Sequence, residues 1–166
     1  MTASNRYRPH IVVLIEDDAD RDLFNGFMLE VDWRKSRQIH PEPVSGGWPN
    51  VRADFICKQL PQMKQYADQI TVMLIDFDNQ GDRRLDDMRR DVPDSMADRV
   101  FVFGTRKDPQ ELAAALNMSC EAIGSALARD CRDATDTMWS HALLAHNKEE
   151  LVRLKQVAHT MLFDAS

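Results

Sequence analysis

The sequence predicts an α/β protein: a Rossmann-like sheet of about four mainly parallel strands with flanking helices, followed by a helical C-terminal extension. Three observations carry this reading. The short apolar runs IVVLI (11–15), TVMLI (71–75) and RVFVFG (99–104) have the length and branched composition of strands buried on both faces. Amphipathic segments of helical period separate them. From residue 108 onward the pattern is wholly helical, so residues 1–112 are read as the α/β domain and 113–166 as an extension packed on it.

Each element follows from local chemistry. After the first strand, Leu23, Phe24, Phe27, Met28 and Val31 recur at helical spacing, which predicts a helix over 18–32, ended by the polar stretch 33–38. The segment IHPEPV (39–44) contains two prolines, so a second strand there is short, irregular or at an edge. SGGWPN is a turn by composition, and the next helix carries Val51, Phe55, Ile56, Leu60 and Met63. Pro61 lies inside that pattern and predicts a kink or break near Leu60. The third strand is expected over 70–75, an exposed helix over GDRRLDDMRRDV, and the fourth strand over 99–104. In DPQE, Asp108 at the cap, Pro109 at the first helical position and Glu111 two residues later start a helix that runs through Leu116. Two more helices are expected over 119–131 and 147–161.

Composition narrows the function. A chain of 166 residues with 43% hydrophobic content has enough apolar mass for a core. No apolar run approaches the roughly 20 residues that span a bilayer, and MTASNRYRPH lacks a signal-peptide core, so a cytoplasmic protein without membrane contact is expected. Cys57, Cys120 and Cys131 are odd in number and unpatterned, which argues against a disulfide framework or a zinc knuckle. The net charge of −6 argues against tight, unaided binding to nucleic acid through its phosphates. The basic clusters at 34–37, 83–84, 89–90 and 106–107 read mainly as solvated helix faces.

The chemistry-bearing feature is the placement of acids at strand ends. Glu16 follows the first strand, and Asp76 and Asp78 follow the third. Ligands of parallel sheets gather at the carboxyl ends of strands, and carboxylates brought together there repel unless a cation offsets them. A hard divalent ion, Mg²⁺ or Mn²⁺, is the economical partner, with metal-assisted phosphoryl chemistry as the leading idea. The plainer alternative is that such acids cap helices, Asp18 in particular, and it is the stronger explanation for Asp108 and Glu111. Gly46 and Gly47 either let the backbone approach a phosphate or form a plain tight turn. Arg106 and Lys107, after the fourth strand, either clamp a phosphate or are ordinary loop charges.

The order of these features resembles a known family. IVVLIEDDADRDLF is similar to the opening of TOPRIM-type domains, where a strand ends in Glu and an Asp follows four residues later, here Glu16 and Asp20. PVSGGWPNVRADFICKQL resembles the strand, Gly-Gly turn and helix that follow in small TOPRIM-like and OLD-type nuclease proteins, and VMLIDFDNQGDR resembles their third strand with its Asp-x-Asp. The resemblance covers residues 11–112. It implies Mg²⁺-dependent cleavage or transfer at phosphodiesters of nucleic acid, with Glu16 as general acid or base and with Asp20, Asp76 and Asp78 beside it as metal ligands. The sequence departs from the pattern where the Gly that commonly follows the Glu is replaced by Asp17. The helical C-terminal part is the expected surface for a protein partner or a homodimer.

Two rivals stand beside it. The same opening resembles a response-regulator receiver domain, with Asp17 and Asp18 as metal acids, Asp76 as phospho-acceptor and Thr105 as switch hydroxyl. Against this, the interval from Asp18 to Asp76 is longer than in receivers, and the helical tail leaves no place for a fifth strand ending in Lys. The other rival is a non-catalytic module that binds a nucleotide or a protein partner.

Overall fold

In the computed structural model, which describes residues 5–163, four strands form one all-parallel sheet in the order β2-β1-β3-β4. The strands are β1 (His10–Ile15), β2 (Ile39–Pro41), β3 (Gln69–Leu74) and β4 (Val100–Phe103). Every residue of β1 and β4 is buried, as their apolar composition requires. The helices are α1 (Asp18–Met28), α2 (Trp48–Asp54), α3 (Leu60–Gln65), α4 (Asp82–Arg89), α5 (Pro109–Leu116), α6 (Cys120–Asp133) and α7 (Lys148–Leu162). Among the described residues, no helix is long and apolar enough to cross a membrane.

Strand order explains the layers. The chain moves outward from β1 to β2, then returns past β1 to β3 and on to β4, and right-handed crossovers therefore put α1 on one face and α2, α3 and α4 on the other. On one face Ile11, Val13, Ile15 and Phe103 pack with Ala128 and Cys131 of α6 and Leu151 and Leu162 of α7, with Phe24 and Phe27 of α1 against them. On the other, Leu14, Met73, Ile75 and Val102 pack with Val51, Met63 and Met88. The helical C-terminal part thus shares the core of the sheet. It also crosses α1 at close range: a Cβ on Gly26 would overlap the Glu121 carbonyl, and one on Gly124 would overlap the Leu23 carbonyl.

The second strand is short and at the edge, as its prolines predict: it spans Ile39–Pro41, Glu42 N–H still bonds Val13, and past Pro43 it is Ser45 N–H, not Val44, that bonds Ile15. Other boundaries differ from expectation, each for a physical reason. Helix α1 ends at Met28, and Leu29, Glu30 and Val31 bond three residues back, a tightened last turn instead of α-helix through 32. Pro61 falls in the first turn of α3, preceded by a π-helical turn over Phe55–Gln59 in which Leu60 N–H reaches back to Phe55. The expected break is thus a one-residue expansion just before a proline that needs no hydrogen bond there.

Among the described residues, no fifth strand lies on the outer edge of β4. Instead α7 covers it with two polar side chains: Glu150 accepts from Val102 N–H at 2.8 Å, and the Asn147 amide accepts from Gly104 N–H at 3.2 Å and donates to its carbonyl at 2.9 Å. Arg89 and Arg153 pair with the buried Glu150 carboxylate. An exposed edge that would invite further strands is thereby closed.

Candidate metal centre

The parallel ladder runs past the formal strand ends, and this builds the site. Glu16 N–H bonds Leu74 at 3.0 Å, Ile75 bonds Phe103 at 2.9 Å and Phe77 bonds Thr105 at 3.0 Å. Alternation then decides where Asp76 points. Ile75 and Phe77 belong to the α2–α4 side, so Asp76 shares its face with Val72 and Leu74, the side that α1 covers. The first turn of α1 presents Asp20 there, while Asp17 caps the helix by accepting the Asp20 N–H at 3.1 Å. Glu16 turns toward the same point and accepts the backbone N–H of Asp76.

Glu16, Asp20 and Asp76 consequently bring one carboxylate oxygen each within 4.8 Å of one another. All three are buried, at 8%, 0% and 6% exposure. Both oxygens of Asp20 and one of Asp76 accept no hydrogen bond from an N–H or hydroxyl group, and a proton shared between the Asp20 and Asp76 carboxyls is the hydrogen bond open to them. Buried polar atoms are rarely left in this state without a ligand or a functional reason. Desolvation by burial, followed by the charges of Asp76 and Asp17, pushes the Asp20 carboxyl up to about 11, and desolvation followed by the charges of Asp17 and Glu16 pushes Asp76 up to about 8. Glu16 is also raised, mainly by burial, and the Asp76 N–H opposes that rise. Burial and mutual repulsion thus favour the protonated forms of Asp20 and Asp76.

Asp78 is placed differently from the other three expected ligands. It lies in the left-handed region at φ 48°, followed by Asn79 at φ 61°, so the strand alternation stops before it. Its half-exposed side chain pairs with Arg84 at 2.8 Å. Its negative charge still reaches the centre, raising both Glu16 and Asp76. Gly46 and Gly47 adjoin the site at φ 84° and 111°, and both amides donate to the Glu16 carbonyl, at 2.9 and 3.3 Å. These glycines brace the Glu16 backbone, and neither amide is left over as a phosphate donor.

Arg106 is exposed at the mouth of the same edge, and Lys107 pairs with Glu111 at 3.3 Å. Asp108 caps α5 through Glu111 N–H at 2.8 Å, as the capping explanation requires. The cap of α1 is Asp17 and not Asp18, which is exposed in the first turn.

Arg84 was hidden among surface charges in the sequence. Its guanidinium is buried, donates to the Asp76 carbonyl at 2.9 Å and to Asp78, and lies 4.4 Å from the centre of the Trp48 ring. The signal that finds it is spacing: Met88 lies one turn later, on the face that α4 buries. Thr105, at the end of the β4 ladder, has a fully buried hydroxyl with no partner. Comparison with family models, with curated proteins and with solved structures gave no match for this chain.

Proposed function

We propose that the protein is a divalent-metal-dependent phosphoryl-transfer enzyme of nuclease type, with Mg²⁺ or Mn²⁺ held by Glu16, Asp20 and Asp76. One observation carries the reading: three buried carboxylates converge at the carboxyl edge between β1 and β3, where strand order reverses, and both oxygens of Asp20 and one of Asp76 accept no hydrogen bond. The donor set is all oxygen and anionic, which fits a hard cation and not a soft one. A divalent ion at this position supplies activation of bound water and neutralisation of charge developing on a phosphoryl group.

The residues around it divide the remaining work. Glu16 has one oxygen fixed by the Asp76 N–H while burial raises its carboxyl above the usual range, which suits it to take or deliver a proton. Arg84 fixes Asp78 and the Asp76 backbone, which limits how far the β3 end can shift. Exposed Arg106 offers a planar donor set to a substrate phosphate. With a net charge of −6, affinity for nucleic acid would depend on the bound ion and weaken with salt.

Thr105 favours a second reading. An unpartnered hydroxyl buried at the end of β4, on the strand adjacent to Asp76, is what a receiver-like site phosphorylated on Asp76 would use. The β4 edge, where a receiver places its fifth strand, is covered by α7 here. Incubation with labelled single- and double-stranded nucleic acid in Mn²⁺, run beside acetyl phosphate labelling, separates the two. Cleavage lost in Asp76→Ala supports the nuclease reading. A phospho-aspartate without cleavage replaces it with the receiver, and neither product overturns both in favour of a binding module.

A further inference from the structure

A second site lies on the α1/α7 side of the sheet, separate from the acids. Both faces of the sheet are covered, yet Val72 and Leu74 in the central strand β3 are only half-buried. The reason is a gap. Helix α1 packs over β1 and α7 over β4, and between them a cavity of about 140 Å³ opens onto β3. Phe27, Leu127, Trp139 and Leu151 line it together with Val72 and Leu74.

Helix α7 runs antiparallel to β4, with Asn147 at Gly104, Glu150 at Val102 and Arg153 at Ala97 and Val100. The cavity wall therefore has two distinct ends. Thr105, with its unpartnered hydroxyl, belongs to the carboxyl edge of the sheet, and Lys155 and His159 belong to the opposite end. Among the described residues no carboxylate pairs with Lys155, and its charge acts on the thiol of Cys131, another group of the cavity wall.

We propose that this cavity binds a small apolar molecule with an anionic head, of the size of a six-carbon carboxylate, its chain against Val72 and Leu74 and its head at Lys155. Size supports it: an engineered cavity of about 150 Å³ with a similar aliphatic and aromatic lining stays dry and takes up benzene. Charge supports it as well, since a lone ammonium on the rim of an apolar hollow selects an anion over a neutral chain. The proposal does not rest on the metal reading.

The test uses the whole protein in EDTA, so that no carboxylate can ligate a metal ion, with hexanoate and hexanol as probes in calorimetry. Hexanoate is expected to bind saturably and more tightly than hexanol. Lys155→Gln should weaken hexanoate about tenfold, the scale of one charge-assisted hydrogen bond, and leave hexanol unchanged. Val72→Phe, which fills the hollow, should weaken both probes. Asp20→Asn should alter neither, which keeps this result independent of the metal centre. Absence of saturable binding of either probe at tens of millimolar overturns the proposal, as does hexanoate binding that Lys155→Gln leaves intact.

Discussion

Replacing Asp20 by Asn should stabilise the metal-free protein while abolishing the proposed metal site. Asp20 is fully buried, its two oxygens are unpartnered, and burial beside Asp76 and Asp17 raises its pKa to about 11. An amide keeps the shape, cannot ionise, and can donate to the Asp76 oxygen that now lacks a partner. The sign follows from proton linkage. A carboxyl whose folded pKa is raised holds its proton in the native state, so its contribution is fully present below the ordinary value of 3.8 and is lost as pH rises toward the raised pKa. Asn has no such dependence, so the variant's advantage should be small at pH 4 and should grow through pH 8.

Its size should be about 1–3 kcal/mol, the penalty of a buried polar group left unsatisfied. For a chain of this length that is roughly 2–12 °C in melting temperature. Thermal unfolding in EDTA across pH 4–8 measures it. A variant no more stable than the parent at pH 8, or an advantage that does not grow with pH, would refute the claim that this carboxyl is held in the fold at a cost in stability.

Three further outcomes are expected. Glu16→Gln should lower turnover by about 10²–10⁴-fold if Glu16 handles protons, with Mn²⁺ affinity largely retained; a variant that cuts at the parental rate moves that role to Asp17 or Asp18. Gly124→Ala should cost about 1–3 kcal/mol in urea unfolding, because its Cβ meets the Leu23 carbonyl and forces α1 and α6 apart. Asn147→Ala should cost about 1–3 kcal/mol and speed amide exchange at Gly104, since it strips both backbone groups of that residue at once.

The sheet was legible because burial on both faces leaves continuous branched runs, and the acids at their ends mark the carboxyl edge. Glu16 and Asp76 were readable in that way, and Asp20 through the spacing of the family it resembles. The separation of Asp78 from Asp76 was not legible, because an i, i+2 pair shares a face only while the strand lasts, and two successive left-handed residues end it. Arg84 looked like surface charge because α4 has so few apolar anchors that a buried guanidinium leaves hardly any periodic trace. The roles of Asn147 and Glu150 depend on α7 docking more than 40 residues away from its β4 partners, and local patterns carry no such information. The cavity over β3 is equally silent in sequence, being a spacing between helices and not a property of any segment.

As proposed, Glu16, Asp20 and Asp76 would form one divalent-cation site that exchanges protons for metal. Calorimetric titration with Mn²⁺ at pH 7, repeated in two buffers of different ionisation enthalpy, tests it most directly. One saturable site per chain is expected, with net proton release on binding, tighter binding as pH rises toward 8, and loss of the site in Asp20→Asn and Asp76→Ala. Absence of binding at millimolar Mn²⁺, or binding that releases no protons and survives both substitutions, would contradict it.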